Sequence, residues 1–147
     1  MTVARLLRIC MLVVISAGCA MTSQAQERSL YQRLGGYDAL AAVTDDFIGR
    51  LTTDPQFTKF FSGFSTDSKR RIRQHLLDQL CQATGGPCIY TGRNMKVTHA
   101  GLGLTDGDWA VGAKHLTSTL EKFQVPEKEK QEVLAFVTGL KPDIVEK

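Results

Sequence analysis

The chain is poor in aromatic residues, which fill 7% of its 147 positions, and it has one tryptophan, four prolines and four cysteines. No window carries a basic run of the kind that follows a nucleic-acid backbone, so a nucleic-acid partner is not expected. There is no P-loop, GxSxG, HExxH or CxxC sequence. That removes the phosphate-cradling loop, the nucleophile elbow, the helical zinc protease site and the dithiol redox pair. No set of long apolar runs exists, which excludes a polytopic membrane protein. What is present, 43% hydrophobic and 22% charged residues, suits one domain able to bury a core without staples.

Acidic residues are missing from the first 26 positions, the first being Glu27. Arg5 and Arg8 precede the apolar run from Ile9 to Ile15, and small residues Ser16, Ala17, Gly18, Cys19 and Ala20 follow. Charged, apolar and small-residue regions in that order predict a secretory signal, and the apolar run is short for a membrane span. Ser23-Gln24-Ala25 suits an ordinary cut that makes residues 1–25 the signal and 26–147 the domain. Alternatively, Ser16-Ala17-Gly18-Cys19 resembles a bacterial lipoprotein box, with residues 1–18 removed and Cys19 acylated as a lipid tether. The expected location is therefore the periplasm, free or tethered to a membrane. Without residues 1–25, 16 basic residues face 15 acidic ones, so the domain has almost no field to steer a charged partner.

Two cysteines, Cys81 and Cys88, remain in the domain. In an oxidising compartment an even, closely spaced pair favours a disulfide over two buried thiols.

Glycine pairs and turn residues divide the domain into helical segments, with no period-2 strand. Leu30 to Leu34 forms a short helix stopped by Gly35-Gly36. Leu40, Val43, Phe47 and Leu51 recur at steps of three and four, predicting an amphipathic helix over 38–51. Asp54-Pro55 breaks it, and a corner rich in phenylalanine follows, with Phe57, Phe60, Phe61 and Phe64. Ser65-Thr66-Asp67 starts a helix whose stripe is Ile72, His75, Leu76, Gln79, Leu80 and Ala83, ending at Gly85-Gly86-Pro87. A polar loop over 90–94 leads to a short helix over 95–101. Thr105 caps a long helix with Trp109, Ala113, Leu116, Leu120 and Phe123 on one side. Pro126 starts the last, through Val133, Phe136, Val137 and Leu140. The fold class is all-α, one domain.

Three histidines are the side chains that, with cysteine, titrate near neutrality. His99 falls on the face a short helix would bury, His75 within an apolar stripe, and His115 beside Leu116 with partial exposure. A histidine on an apolar face is either a hydrogen-bonded core residue or a ligand. The phenylalanine corner, Met95 and a histidine-bearing short helix together suggest an apolar slot with one or two nitrogen ligands, as a haem requires. Zinc fits poorly: the order His75, Cys81, Cys88, His99 matches no standard module. A six-residue helical step also turns Cys81 about 120° from His75.

The sequence resembles the group I truncated haemoglobins, the two-over-two helical globins, from Ser29 to about Glu146. The resemblance is carried by Leu30-Tyr31-Gln32-Arg33-Leu34-Gly35-Gly36, Phe60-Phe61-Ser62-Gly63 and Gly85-Gly86-Pro87. It continues through Tyr90-Thr91-Gly92-Arg93, Met95-Lys96, His99, Trp109 and Val125-Pro126. It implies a shortened globin holding protohaem IX (haem b). His99 matches the proximal ligand of the iron, and its ligating nitrogen must be unprotonated, so acid should weaken the bond. Phe61 matches the phenylalanine on the haem face, with Phe60 and Phe47 beside it, and Met95 an apolar haem contact. Arg93 and Lys96 match partners of the propionates, or are solvated charges.

The distal side departs from the family. Ile48 stands where many members place a tyrosine, and Ile72 and Leu76 where glutamines are frequent. An apolar pocket poor in donors is expected. His75 matches a position where some members place a sixth, histidine ligand. The resemblance thus implies a protein that binds O₂, NO or CO, serving oxygen transport or NO removal as a dioxygenase, with weak peroxidase activity as a side reaction. An unidentified reductase would supply electrons. A bis-histidyl redox, electron-transfer or sensing protein is the alternative, and a haem-free helical interaction domain a third.

Overall fold

The computed structural model describes residues 27–147. The signal, the lipoprotein box and Cys19 lie outside the described residues.

The described chain is helical, as expected. Its elements are α1 (Leu30–Arg33), α2 (Gly36–Thr53), α3 (Thr58–Phe61), α4 (Thr66–Ala83), α5 (Met95–His99), α6 (Asp106–Lys122), α7 (Glu127–Gly139) and α8 (Lys141–Ile144). α4 and α6 start at side-chain caps that satisfy backbone N–H groups otherwise left without partners, whereas α2 and α7 have none. Ser65 accepts from the amide of Ser68 in α4, and Thr105 with Asp108 forms a reciprocal capping box in α6. The α4 helix ends in a Schellman arrangement, with the Gly85 amide on the Gln82 carbonyl and the Gly86 amide on the Cys81 carbonyl at 2.8 Å. Gly86 is obligatory there: a Cβ would lie 2.5 Å from the Tyr31 ring and 2.7 Å from Cys81 Sγ.

α2 lies at the centre and packs against both α4 and α6. Arg73 Nε donates to Asp45 Oδ1 at 2.6 Å, and Leu40 packs with Leu77 and Cys81. Their order shows that α2 and α4 run in opposite directions. The second core cluster joins α2 to α6 and α7 through Val43, Leu116, Leu120 and Val133, with Phe47 against it. Asp46 accepts from Arg50, Thr119 and Lys122, so α2 is also tied to α6 by charge, and these donors hold its carboxyl well below the usual range. Arg33 links α1 to Glu129 and Glu132 of α7. An apolar cavity of about 120 Å³ opens onto this core, lined by residues that include Leu34, Val43, Leu80, Leu116 and Leu120 and no histidine.

Five details differ from the periodicity. The phenylalanine corner contains the one-turn helix α3, and the last segment breaks at Leu140 to form α8. Ala83 is exposed at the last turn of α4, and Phe123 is 39% exposed at the end of α6, because both fall where the helix leaves its neighbour. Asp108, outside the apolar pattern, is buried: its carboxylate caps Thr105 and accepts from Gln56 Nε2 at 2.7 Å.

Cys81 and Cys88 are disulfide-bonded, with Cα atoms 5.7 Å apart. Closing so short a loop stabilises by roughly 2.5 kcal/mol in the chain-entropy account. Cys88→Ser should therefore lower the unfolding free energy by about that amount in urea melts, with the loop after α4 loosened.

Gln56 and Thr105 lower the Asp108 carboxyl from 3.8 to about 2. A depressed folded value contributes stability that is complete above the unfolded value and lost as pH falls through the folded one. Urea melts at pH 7 and near pH 2 should show a smaller acid loss in Asp108→Asn than in the native chain.

Candidate functional site

α4 carries two stripes. Leu77, Leu80, Cys81 and Thr84 are buried against the core. Ile72, His75, Leu76 and Gln79 form another i, i+3, i+4, i+7 stripe, and all four are only half-buried. Leu77, rather than the expected Leu76, is the fully buried leucine. Residues 76 and 77 are separated by about 100° on the helix, so the second stripe turns away from α2. His75 Nδ1 is buried and has no hydrogen-bond partner, and the ring meets Tyr90 edge to face with centroids 6.1 Å apart. An apolar stripe with an unpartnered imidazole nitrogen is incomplete without a further group, since an unpaired buried polar atom costs free energy.

His99 ends α5 and is half-buried. Its Nδ1 lies 2.9 Å from the Met95 carbonyl oxygen. A carbonyl can only accept, so Nδ1 is the donor and, in the neutral ring, Nε2 is the nitrogen with the lone pair. A metal ligand needs that tautomer and orientation. Asn94 accepts from the Val97 amide at 2.8 Å and so caps this five-residue helix. Met95 is half-buried, whereas Lys96 and Arg93 are exposed and form no ion pair among the described residues.

Phe60 and Phe61 on α3 are half-buried, with Phe60 beside Phe57 at 6.0 Å and Phe61 edge-on to Phe64 at 6.4 Å. Phe57, expected only as part of the corner and not as a haem contact, is its buried member and packs on His115. Phe47 packs on the α2–α6–α7 core, and Ile48 beside it is half-buried. His115 is half-buried and bonds through Nε2 to Asp54 at 2.7 Å, which gives it a structural partner.

Tyr90 links the two histidine-bearing helices. α5 packs on α8 and α4 on α2. The Tyr90 ring rests on His75, while its hydroxyl donates to the Arg93 carbonyl at 2.5 Å, just before α5. Its own amide donates to Gln82 Oε1 at 2.7 Å, two residues after the disulfide. Burial pushes the phenol upward in pKa. The sequence shows only an aromatic residue in a polar loop beside Cys88, and nothing local marks its partners. On the far side of α5, Glu146 accepts from the amides of Gly101 and Gly103, which hold its carboxyl below the ordinary range.

A helical fold among the described residues, with a histidine held by a backbone carbonyl on a short helix and a half-covered stripe on α4, is of globin-like class. The family described as bacterial-like globin matches residues 29–146. A group 1 truncated haemoglobin, GlbN, of Mycolicibacterium paratuberculosis is 34% identical over 121 residues, covering 82% of this chain and 87% of that protein. The Nostoc sp. GlbN is 35% identical over 119 residues, covering 81% and 98%. Among solved structures, the truncated haemoglobin of Tetrahymena pyriformis in its Fe(III) form aligns with a TM-score of 0.74 at 26% identity, covering 82% of this chain and all of that one. The 2/2 haemoglobin of a Synechococcus species, with covalently attached haem, aligns at 0.73 and 28% identity over the same shares. The chain belongs to the group 1 truncated haemoglobins, the bacterial-like globins of the 2/2 fold. Haem is the cofactor that this family implies, and the free Nε2 of His99, the unpartnered Nδ1 of His75 and the half-covered stripe of α4 fit it.

At Gly92 a Cβ would lie 2.4–2.5 Å from the Tyr90 ring. Gly92→Ala should displace Tyr90 from His75 and cost about 1–3 kcal/mol through overpacking. The loss of ring contacts between Tyr90 and His75 in NMR spectra, with a lower urea midpoint, checks this.

Proposed function

We propose that the protein holds protohaem IX through His99 Nε2 and binds O₂, NO or CO reversibly. The observation that carries this reading is the His99 Nδ1 contact to the Met95 carbonyl, which leaves Nε2 as the free donor. Haem supplies a redox-active iron able to take a diatomic ligand. The chain supplies the rest. Ile72, Leu76 and Ile48, all half-buried, would supply an apolar side that excludes water, and Phe60 and Phe61 flat apolar surface. Arg93 and Lys96, exposed and cationic beside α5, suit the propionates, and Met95 gives an apolar contact. Phe47, packed on the α2–α6–α7 core, would add apolar surface beside Ile48.

With isoleucine and leucine at the distal positions, the pocket has few donors for a polar ligand. Fast release follows, and both oxygen carriage and NO removal lie within this reading. An electron donor of separate identity belongs to the same proposal. So does export, which the disulfide supports because such bonds persist in oxidising compartments.

A second reading, bis-histidyl coordination for electron transfer or sensing, is favoured by the unpartnered His75 Nδ1 and its place on the half-covered stripe. Absorption spectra of the reconstituted domain separate the two. His99→Ala should abolish stable haem binding, and full retention would overturn the proposal. A six-coordinate low-spin ferrous spectrum that disappears in His75→Ala supports the second reading. Five-coordinate ferrous iron in the native chain refutes it.

A further inference from the structure

The C-terminal segment closes on the loop that follows His99. α8 packs on α5, and the Glu146 amide donates to the Leu104 carbonyl at 2.8 Å. The Lys147 carbonyl accepts from the Asp106 amide at 3.1 Å. Between these anchors the Glu146 carboxylate reaches back. Oε1 accepts from the Gly101 amide at 2.7 Å and Oε2 from the Gly103 amide at 2.6 Å. Both glycines hold positive φ, 81° and 65°, so the chain turns sharply here in a conformation that side chains disfavour. One carboxylate therefore takes both amides of a tight loop that begins two residues after His99. Since both its oxygens are used, Glu146 is not itself poised as a ligand.

α5 is five residues long, too short for its own hydrogen bonds to fix it. Its first turn is held by Asn94 and by the Tyr90 hydroxyl on the Arg93 carbonyl. Its last turn carries His99, with the Leu102 amide on the His99 carbonyl at 3.1 Å, and that loop is what Glu146 grips.

We propose that Glu146 is a positioning residue for the axial histidine: by clamping Gly101 and Gly103 it fixes the end of α5 and the seat of His99. This rests on His99 being the iron ligand. A charged acceptor with two amide donors is among the stronger hydrogen-bonding arrangements, and Gln keeps only one acceptor oxygen.

The test compares the full chain with Glu146→Ala and Glu146→Gln, first without haem and then reconstituted. Amide hydrogen exchange should quicken about tenfold in Glu146→Ala at Gly101, Gly103, Thr98 and His99, while Leu77 and Leu116 stay unchanged. Transfer of haem to excess apomyoglobin should quicken to a similar degree, with Glu146→Gln between the two. Faster exchange confined to Gly101 and Gly103, with α5 and haem transfer unaffected, would overturn the proposal and leave Glu146 as an anchor of the tail alone. If the native chain takes up no haem, the axial-ligand reading fails by itself. The exchange arm then decides the clamp: faster exchange through α5 supports it, and none refutes it.

Discussion

A helix with two apolar stripes needs two apolar partners, and the core provides α4 with one. Leu77, Leu80 and Cys81 are satisfied by α2 and its neighbours. Ile72, His75 and Leu76 sit about a quarter-turn or more away and are left half-covered, with a buried imidazole nitrogen lacking a partner. Most of what surrounds α4 keeps that stripe in place. The Asp45–Arg73 pair fixes its register on α2, and the disulfide with the Schellman turn fixes its end. Tyr90 then braces His75 from the loop. On the proposed reading, a flat apolar cofactor would gain free energy here from surface the fold already leaves half-covered.

The short helix α5 has the reverse problem. A single-turn helix carries His99 and has almost no burial of its own. It stays in place through contacts made from outside: Asn94 at its start, Tyr90 at the residue before it, α8 along its side and Glu146 beyond its end. The short α5 of this chain is thus fastened from both neighbouring loops.

The long helices α2, α4 and α6 were legible from apolar spacing because each packs one face on a core, and Gly85-Gly86 marked the end of α4. The same rule misplaced Ala83 and Phe123, since spacing continues to the last turn while packing does not. α3 and α8 are single turns and are too short to show a period. His99 could be picked out as a candidate, but its role came from resemblance rather than from spacing. Its tautomer needed the Met95 carbonyl, a contact that only the fold shows. Glu146 was silent for a related reason: Gly101 lies 45 residues away, and no local pattern encodes such a meeting. Asp108 falls outside the apolar spacing, and its burial depends on Gln56, 52 residues away.

The central claim is that the chain presents His99 Nε2 to a haem iron while Nδ1 stays on the Met95 carbonyl. The most direct measurement is a crystal structure of the haem-reconstituted domain. The predicted result is iron bound to His99 Nε2 with the Nδ1 contact to Met95 retained. Iron held by another side chain, or His99 turned away with that contact broken, would contradict it.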